Sequence, residues 1–153
     1  MIRKLKKKSL FYLIIIFLGV FSYADSFFEG EEAFRSNNPQ KAIVLLNKAI
    51  EEGNTNPNIY TYLGLSYYQL GQLEKSLEVF MEGTKISGTN KRILYYNAGN
   101  TAFAMGNIKQ AEDMYSLAIV ADPNYASAVL NRANARLKQD KLDLAKEDYT
   151  QYL

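Results

Sequence analysis

The sequence of 153 residues contains no cysteine, no histidine and no tryptophan. Disulfide bonds, thiolate nucleophiles, imidazole acid–base catalysis and zinc sites with His or Cys ligands are therefore excluded. Neither a Ser/His nor a Cys/His catalytic pair can form. Adjacent carboxylates such as Glu31-Glu32 and Glu51-Glu52 point in different directions on a helix. No calcium-binding or phosphate-binding loop motif is present. We predict a protein that is not an enzyme and that uses no metal and no cofactor.

Positive charge is scarce beyond the first eight residues. The chain has 18 Lys and Arg residues against 16 Asp and Glu residues, a formal charge of +2. Five of the basic residues lie in the first eight positions, which leaves 13 basic residues against 16 acidic ones in the rest of the chain. A nucleic-acid surface needs clustered Lys and Arg to displace counterions from phosphates. We therefore predict that the protein does not bind nucleic acid.

Residues 1–24 have the layout of a secretory signal peptide. A basic stretch ends at Lys8, an apolar run extends from Leu10 to Phe21, and the small residues Ser22 and Ala24 follow. The apolar run is shorter than the roughly 20 residues that a spanning helix needs. We predict cleavage after Ala24, and the alternative is an uncleaved anchor over residues 9–23. In both cases the body is exported, either to the periplasm or cell envelope or held outside the cytoplasm on the inner membrane.

Glycines recur at a fixed spacing in the rest of the chain. Gly64 and Gly99 are 35 residues apart, as are Gly71 and Gly106, and other small and aromatic residues recur at 34. The spacing predicts one domain over residues 25–153 with four units, at approximately 25–56, 57–91, 92–125 and 126–153. Apolar residues at helical spacing predict two helices in each unit, and internal repetition at this period predicts a stacked array. The small residues Gly64 and Gly99 would let the paired helices approach closely.

The first helix of each unit must end where the chain reverses. That position usually has a left-handed backbone, which glycine adopts freely and which Asn and Asp tolerate. The four residues predicted to turn the chain are Asn37, Gly71, Gly106 and Asp140. After the first turn, Asn38-Pro39 supplies a helix cap and a first-turn proline, and we predict the same role for Asn56-Pro57.

A repeat signature can be read in the second and third units. It consists of Tyr60, Leu63, Gly64, Tyr67, Gly71, Ser76, Phe80, Gly83, Gly99, Gly106, Ala111, Tyr115, Ala118 and Pro123. This pattern resembles the tetratricopeptide repeat family. The fourth unit departs from it, with Arg132 and Arg136 where the family usually has Leu and Tyr. The resemblance implies an all-α solenoid of about four stacked antiparallel helix pairs in a right-handed superhelix, preceded by the hydrophobic signal helix.

The resemblance also implies a binding groove, because the first helices of the family's units line a concave side. The positions carried over from the family are Phe27, Glu31, Phe34, Thr61, Leu65, Tyr68, Gln69, Tyr96, Asn100, Phe103, Leu130, Asn134 and Leu137. Aromatic side chains give contact area at a small entropic cost, and Asn can pair with both N–H and C=O groups of a peptide. We predict a protein or peptide partner that binds as an extended or helical segment with apolar anchors. Tyr and Phe at helical spacing are also typical of a core, so both interpretations stay open here.

Some members of the family clamp a C-terminal carboxylate with Lys and Asn in their first unit. The matching residues in this chain are Phe27 and Glu31, or Thr61 and Leu65 if the match begins at the second unit. The clamp residues are absent, which indicates a different type of ligand.

The fourth unit carries alternating charges. Its basic residues are Arg132, Arg136, Lys138, Lys141 and Lys146, and they are interleaved with acidic residues. We interpret them as a solvated face that is also the best candidate site for an acidic partner. The sequence stops at Leu153 within the predicted last helix, so we expect either a shortened end cap or a longer natural chain. An uncovered end would favour a homodimer through this repeat.

These observations predict an exported scaffold or adaptor of the bacterial cell envelope that binds a partner segment in the groove. Two alternatives remain. One is a membrane-anchored subunit of an envelope complex, and the other is an accessory domain of a larger protein.

Overall fold

The structure, a computed structural model, describes residues 26–152, which form eight α-helices and contain no strand. The signal peptide and anchor predicted over residues 1–24 lie outside the described residues. The first helix, α1, covers residues 26–35. The others are α2 (Pro39–Glu51), α3 (Ile59–Gln69), α4 (Leu73–Gly83), α5 (Lys91–Ala104), α6 (Ile108–Ala121), α7 (Ala126–Leu137) and α8 (Leu142–Tyr152). The predicted all-α fold is confirmed.

The helices stack in chain order. From α2 onward each helix contacts the next one, and α3 also contacts α5 across the intervening helix. Tight turns join α1 to α2, α3 to α4, α5 to α6 and α7 to α8, so these helices form four pairs. This arrangement puts the odd-numbered helices α3 and α5 side by side, so that a groove forms between them.

The four predicted turn residues all have a left-handed backbone. Their φ angles are 56° at Asn37, 69° at Gly71, 79° at Gly106 and 57° at Asp140. In each turn the following residue donates its N–H to the carbonyl five residues earlier, as in the bond of 3.0 Å from Gln72 to Tyr67. These bonds satisfy carbonyls that the helix end would otherwise leave without a partner. The prediction of the turn positions is therefore confirmed.

One of the two predicted helix caps is confirmed and the other is wrong. The Asn38 side chain accepts a hydrogen bond of 3.2 Å from the N–H of Lys41, and Pro39 is the first residue of α2. Asn56 does not cap α3, because that helix begins three residues later and its N-cap is Asn58. The Asn56 side chain instead accepts the N–H of Asn58 at 2.9 Å. An asparagine that bonds the backbone two residues ahead forms a turn of its own, which here precedes the helix.

Glycine against an aromatic ring is the main packing contact within the two middle pairs. A Cβ atom added at Gly64 would lie 2.4 Å from Cε1 of Phe80, and one at Gly99 would lie 2.5 Å from Cε1 of Tyr115. Both rings are buried. Real Cβ atoms do not approach so closely, so only glycine lets the ring lie flat against the facing helix. The predicted packing role of these glycines is confirmed.

Three of the five basic residues of the fourth unit belong to a largely buried cluster, whereas Lys138 and Lys146 are exposed as predicted. We call Glu112, Arg132, Arg136, Lys141 and Asp148 the ion cluster. Arg132 binds Asp148 at 2.6 Å, Arg136 bridges Asp148 (2.8 Å) and Glu112 (3.1 Å), and Lys141 binds Glu112 at 2.6 Å. Glu112 is only 8% exposed and Asp148 only 2%. The interpretation of Arg132 and Arg136 as solvated was wrong, because the register of α7 aims them at carboxylates on α6 and α8. Lys141 lies in the turn before α8 and stays 34% exposed while it binds Glu112.

Candidate binding groove

A cavity of about 330 Å³ lies between the odd-numbered helices. We call it the central groove. Its walls come from α3, α5 and α7, and the rings of Phe80 on α4 and Tyr115 on α6 close it from behind. The lining residues are Leu65, Tyr68, Phe80, Asn97, Asn100, Thr101, Phe103, Ala104, Tyr115, Asn131 and Asn134. A cavity of this size lies within the usual range of small-ligand sites.

Five of the residues predicted to line a groove come together in this cavity. They are Leu65, Tyr68, Asn100, Phe103 and Asn134. They lie on three different helices, so the stacking of the units is what assembles them. Their role in binding stays a prediction.

The positions predicted on α1 do not reach the central groove. Phe27 is only 3% exposed and belongs to the core, so its assignment to a binding surface was wrong. Phe34 packs on the ring of Tyr62, with the centroids 5.3 Å apart. Glu31 accepts hydrogen bonds from the Tyr62 hydroxyl at 2.8 Å and from Arg35 at 2.7 Å. These contacts join α1 to α3, and neither Phe34 nor Glu31 lines the central groove.

The remaining predicted positions also lie outside the lining of the cavity. Tyr96 packs edge to face on Tyr125 at 5.0 Å, so its ring supports the loop between α6 and α7. Thr61 and Leu130 are half-buried, whereas Gln69 and Leu137 are exposed. The family pattern therefore predicted three helices that line the cavity, α3, α5 and α7, but also α1, which does not, and it named only about half of the side chains that share the cavity.

Asn97, Asn131 and Tyr115 line the groove but were absent from the predicted set. The signal that could have found the asparagines is their spacing, since each precedes a predicted asparagine by three residues. Residues three apart on a helix are surface neighbours. Tyr115 could not be found in this way, because it reaches the cavity from the second helix of its pair.

Hydrogen bonds fix the polar wall of the groove. Oδ1 of Asn100 accepts from the Tyr115 hydroxyl at 2.9 Å and from Nδ2 of Asn131 at 3.0 Å. The same Nδ2 also reaches the Tyr96 hydroxyl at 3.4 Å. Burial raises the pKa of the Tyr115 phenol, and the neighbouring Tyr96 raises it further. The phenol is therefore protonated at neutral pH and acts as a donor.

The groove also has apolar and aromatic lining residues. Leu65 packs against the core around Phe80, and Phe103 packs against the core around Tyr115. Tyr68 is 39% exposed at the rim. The groove thus combines apolar side chains with amides, and none of its lining residues is charged.

Two kinds of site are absent from residues 26–152. Their acidic side chains include no group of three that could hold a metal ion. None of their helices combines the length and the apolar character that crossing a bilayer requires.

Comparison with known proteins identifies the repeats. Family models of the tetratricopeptide repeat match residues 57–90 and 96–153. This chain contains tetratricopeptide repeats. Such repeats generally mediate protein–protein interactions, and their fold is typically a non-catalytic module.

The similar proteins share the repeat fold. RNA polymerase II-associated protein 3 from Xenopus tropicalis is 33% identical over 90 residues, which are 59% of this chain and 14% of that protein. The crystal structure of MamA superposes with a TM-score of 0.79 at 18% identity, covering 85% of this chain and 75% of that one. The second repeat domain of Spaghetti (RPAP3), bound to an HSP90 peptide, gives a TM-score of 0.59 at 24% identity, covering 69% and 95%. The chain thus corresponds to about a seventh of the curated relative's length.

Proposed function

We propose that this protein is a binding scaffold of the bacterial cell envelope that holds a segment of a partner protein in the central groove. The observation that carries the proposal is the composition of the groove, where Leu65, Tyr68 and Phe103 offer apolar contact and four asparagines offer hydrogen bonds. A peptide needs both, because its side chains supply apolar area while its main chain must keep its polar groups paired. A related repeat domain that holds an HSP90 peptide supports the same use of the fold.

The proposed location rests on the first twenty-four residues. Their basic, apolar and small-residue zones favour export and cleavage after Ala24. If residues 9–23 stay attached, the repeats would recruit partners to the outer face of the inner membrane. N-terminal sequencing of the protein recovered from cells distinguishes the two, since cleavage gives a chain that starts at Asp25.

A photo-reactive amino acid placed in the groove tests the binding role. Tyr68 is a suitable position because it lies at the rim and is partly exposed. Val120 is the matched control, because it is 79% exposed on α6 and does not line the groove. We expect irradiation of living cells to cross-link an envelope protein from position 68 and not from position 120.

Two further measurements complete the test. The Asn134→Ala substitution is combined with the photo-reactive residue at position 68. If the groove holds the partner, this variant should no longer form the cross-linked adduct. Thermal melting of the variant checks that the fold persists. Identical adducts from positions 68 and 120, or an adduct that Asn134→Ala leaves unchanged, would contradict the proposed function. A homodimer through the C-terminal repeat is tested by moving the photo-reactive residue to Leu144, which is 40% exposed on α8, and looking for an adduct of twice the chain mass.

A further inference from the structure

A tyrosine–asparagine pair recurs in two successive units. The Tyr115 hydroxyl donates to Oδ1 of Asn100 at 2.9 Å, and the Tyr149 hydroxyl donates to Oδ1 of Asn134 at 2.7 Å. Each pair is separated by fifteen residues and links the two helices of one unit. The equivalent pair of the second unit is Phe80 with Leu65, which has no polar side-chain group. In the first unit the equivalent residues are Leu46 and Glu31, so the hydroxyl–amide pair is confined to the third and fourth units.

The pair determines which end of each amide faces the groove. The oxygen of Asn100 is occupied twice, by Tyr115 and by Asn131. Within residues 26–152, Nδ2 of Asn100 and Nδ2 of Asn134 donate to no protein acceptor, and both asparagines line the cavity. An amide nitrogen carries two N–H groups. The groove therefore presents two oriented NH₂ groups, one from each unit.

The absence of charged lining residues restricts the charge that a ligand can carry. The groove lining contains no Lys or Arg to pair with a carboxylate. It also contains no Asp or Glu to pair with an ammonium or a guanidinium group. A charged ligand group in this cavity would lose its hydration without gaining an ionic partner.

We propose that Tyr115 and Tyr149 are positioning residues that turn the Asn100 and Asn134 amides outward, so that the groove selects an uncharged segment offering main-chain carbonyl oxygens. This inference rests on the proposed function of the groove. It also chooses between the two ligand shapes left open by the sequence. In a helical segment the carbonyls are bonded internally, whereas an extended segment keeps them free for a partner. The ligand is therefore extended, with its apolar side chains against Leu65, Tyr68 and Phe103.

Capped peptide pools test the selection directly. All pools contain octapeptides of the same apolar residues with acetylated N-termini and amidated C-termini. In the first pool, interspersed prolines keep the chain extended, and in the second, alanines favour a helix. The third pool is extended and carries two glutamates. Binding is measured by fluorescence polarisation, and the side-chain NH₂ signals of Asn100 and Asn134 are followed by NMR. We expect the first pool to bind most tightly and to shift both signals.

Variants separate positioning from packing. Tyr115→Phe keeps the ring in place against Gly99 and removes the hydroxyl. We expect it to move the free Asn100 NH₂ signal and to weaken the first pool about fivefold, as for one hydrogen bond. Asn100→Asp keeps both acceptor interactions but replaces the donor with an oxygen, and we expect a loss of about 30-fold. Asn107→Asp introduces the same charge at the exposed start of α6 and should leave binding unchanged.

Each result of these experiments bears on a different part of the proposal. Equal binding of the helical or glutamate pools, or full affinity in Asn100→Asp, would overturn the inference. An unmoved Asn100 signal in Tyr115→Phe would overturn the positioning role. If no pool binds while the cross-link from position 68 forms in cells, the ligand class is wrong and the scaffold function stands. If the cross-link is also absent, the scaffold function itself fails.

Discussion

Replacement of Glu112 by Gln should destabilise the fold in a manner that depends on pH. Glu112 is buried, which by itself raises the pKa of its carboxyl, but bonds from Lys141, Arg136 and Gln139 outweigh burial and lower the pKa from 4.5 to about 2. Each unit of pKa corresponds to about 1.4 kcal/mol of differential interaction. The charged carboxylate therefore stabilises the folded chain by about 3 kcal/mol at neutral pH.

The sign of the pH dependence follows from the direction of this change in pKa. Because the pKa is lower in the folded chain, the stabilisation is fully present above pH 4.5 and is lost as the pH falls through about 2. A protonated Glu resembles Gln in charge and shape. The difference in unfolding free energy between the native protein and Glu112→Gln should thus shrink from about 3 kcal/mol at pH 7 towards zero near pH 2.

Urea denaturation at a series of pH values, followed by circular dichroism, measures this difference. Asp113→Asn is the matched control, since Asp113 pairs with Lys109 at 2.6 Å but both side chains are exposed. Exposed pairs of this kind contribute little, so we expect a change below about 0.5 kcal/mol. The assigned role of the ion cluster would be refuted if Glu112→Gln lost the same unfolding free energy at pH 7 and at pH 2. It would also be refuted if the loss were as small as that of the control.

Three further variants test local features by thermal or urea unfolding. Gly99→Ala should cost about 2 kcal/mol or more, because its Cβ would meet the buried ring of Tyr115 at 2.5 Å, and unchanged stability would contradict the close approach. Gly106→Ala meets no neighbouring atom, so its cost should be only the strain of a positive φ, about 1 kcal/mol; a larger loss would indicate a contact the structure does not contain. Asn38→Ala removes the side-chain bond to the N–H of Lys41 and should cost about 1 kcal/mol, whereas Asn38→Asp should retain most of the stability.

Features that depend on a few neighbouring residues could be predicted from the sequence. The turns at Asn37 and Asp140 require a left-handed backbone, and the choice of residue reveals this requirement directly. The glycines opposite Phe80 and Tyr115 were visible because the repeat places a small residue and a ring at fixed offsets. Asn56 was the exception, because an asparagine before a proline can cap a helix or form its own turn, and both need the same residues.

Features that depend on how helices are aligned could not be predicted. Arg132 and Asp148 are sixteen residues apart on different helices, and alternating charges look the same whether they face water or each other. Only part of the groove lining could be predicted, for the same reason. The family pattern named the helices that line it, but side chains from the second helix of a pair, such as Tyr115, enter only once the packing is known.

Different interactions stabilise the two ends of the helix stack. The first pairs are joined by apolar side chains around Leu46 and Leu63, whereas the last pair adds the charges of Glu112, Arg136 and Asp148 to its buried alanines. Attraction between apolar groups fades in the cold, while the cost of stripping water from ions declines with heat. Arrays of this kind can open from either terminus. Temperature therefore affects which end of the chain unfolds first. Cooling weakens the apolar contacts of the N-terminal side, whereas warming weakens the ion pairs of the C-terminal side less.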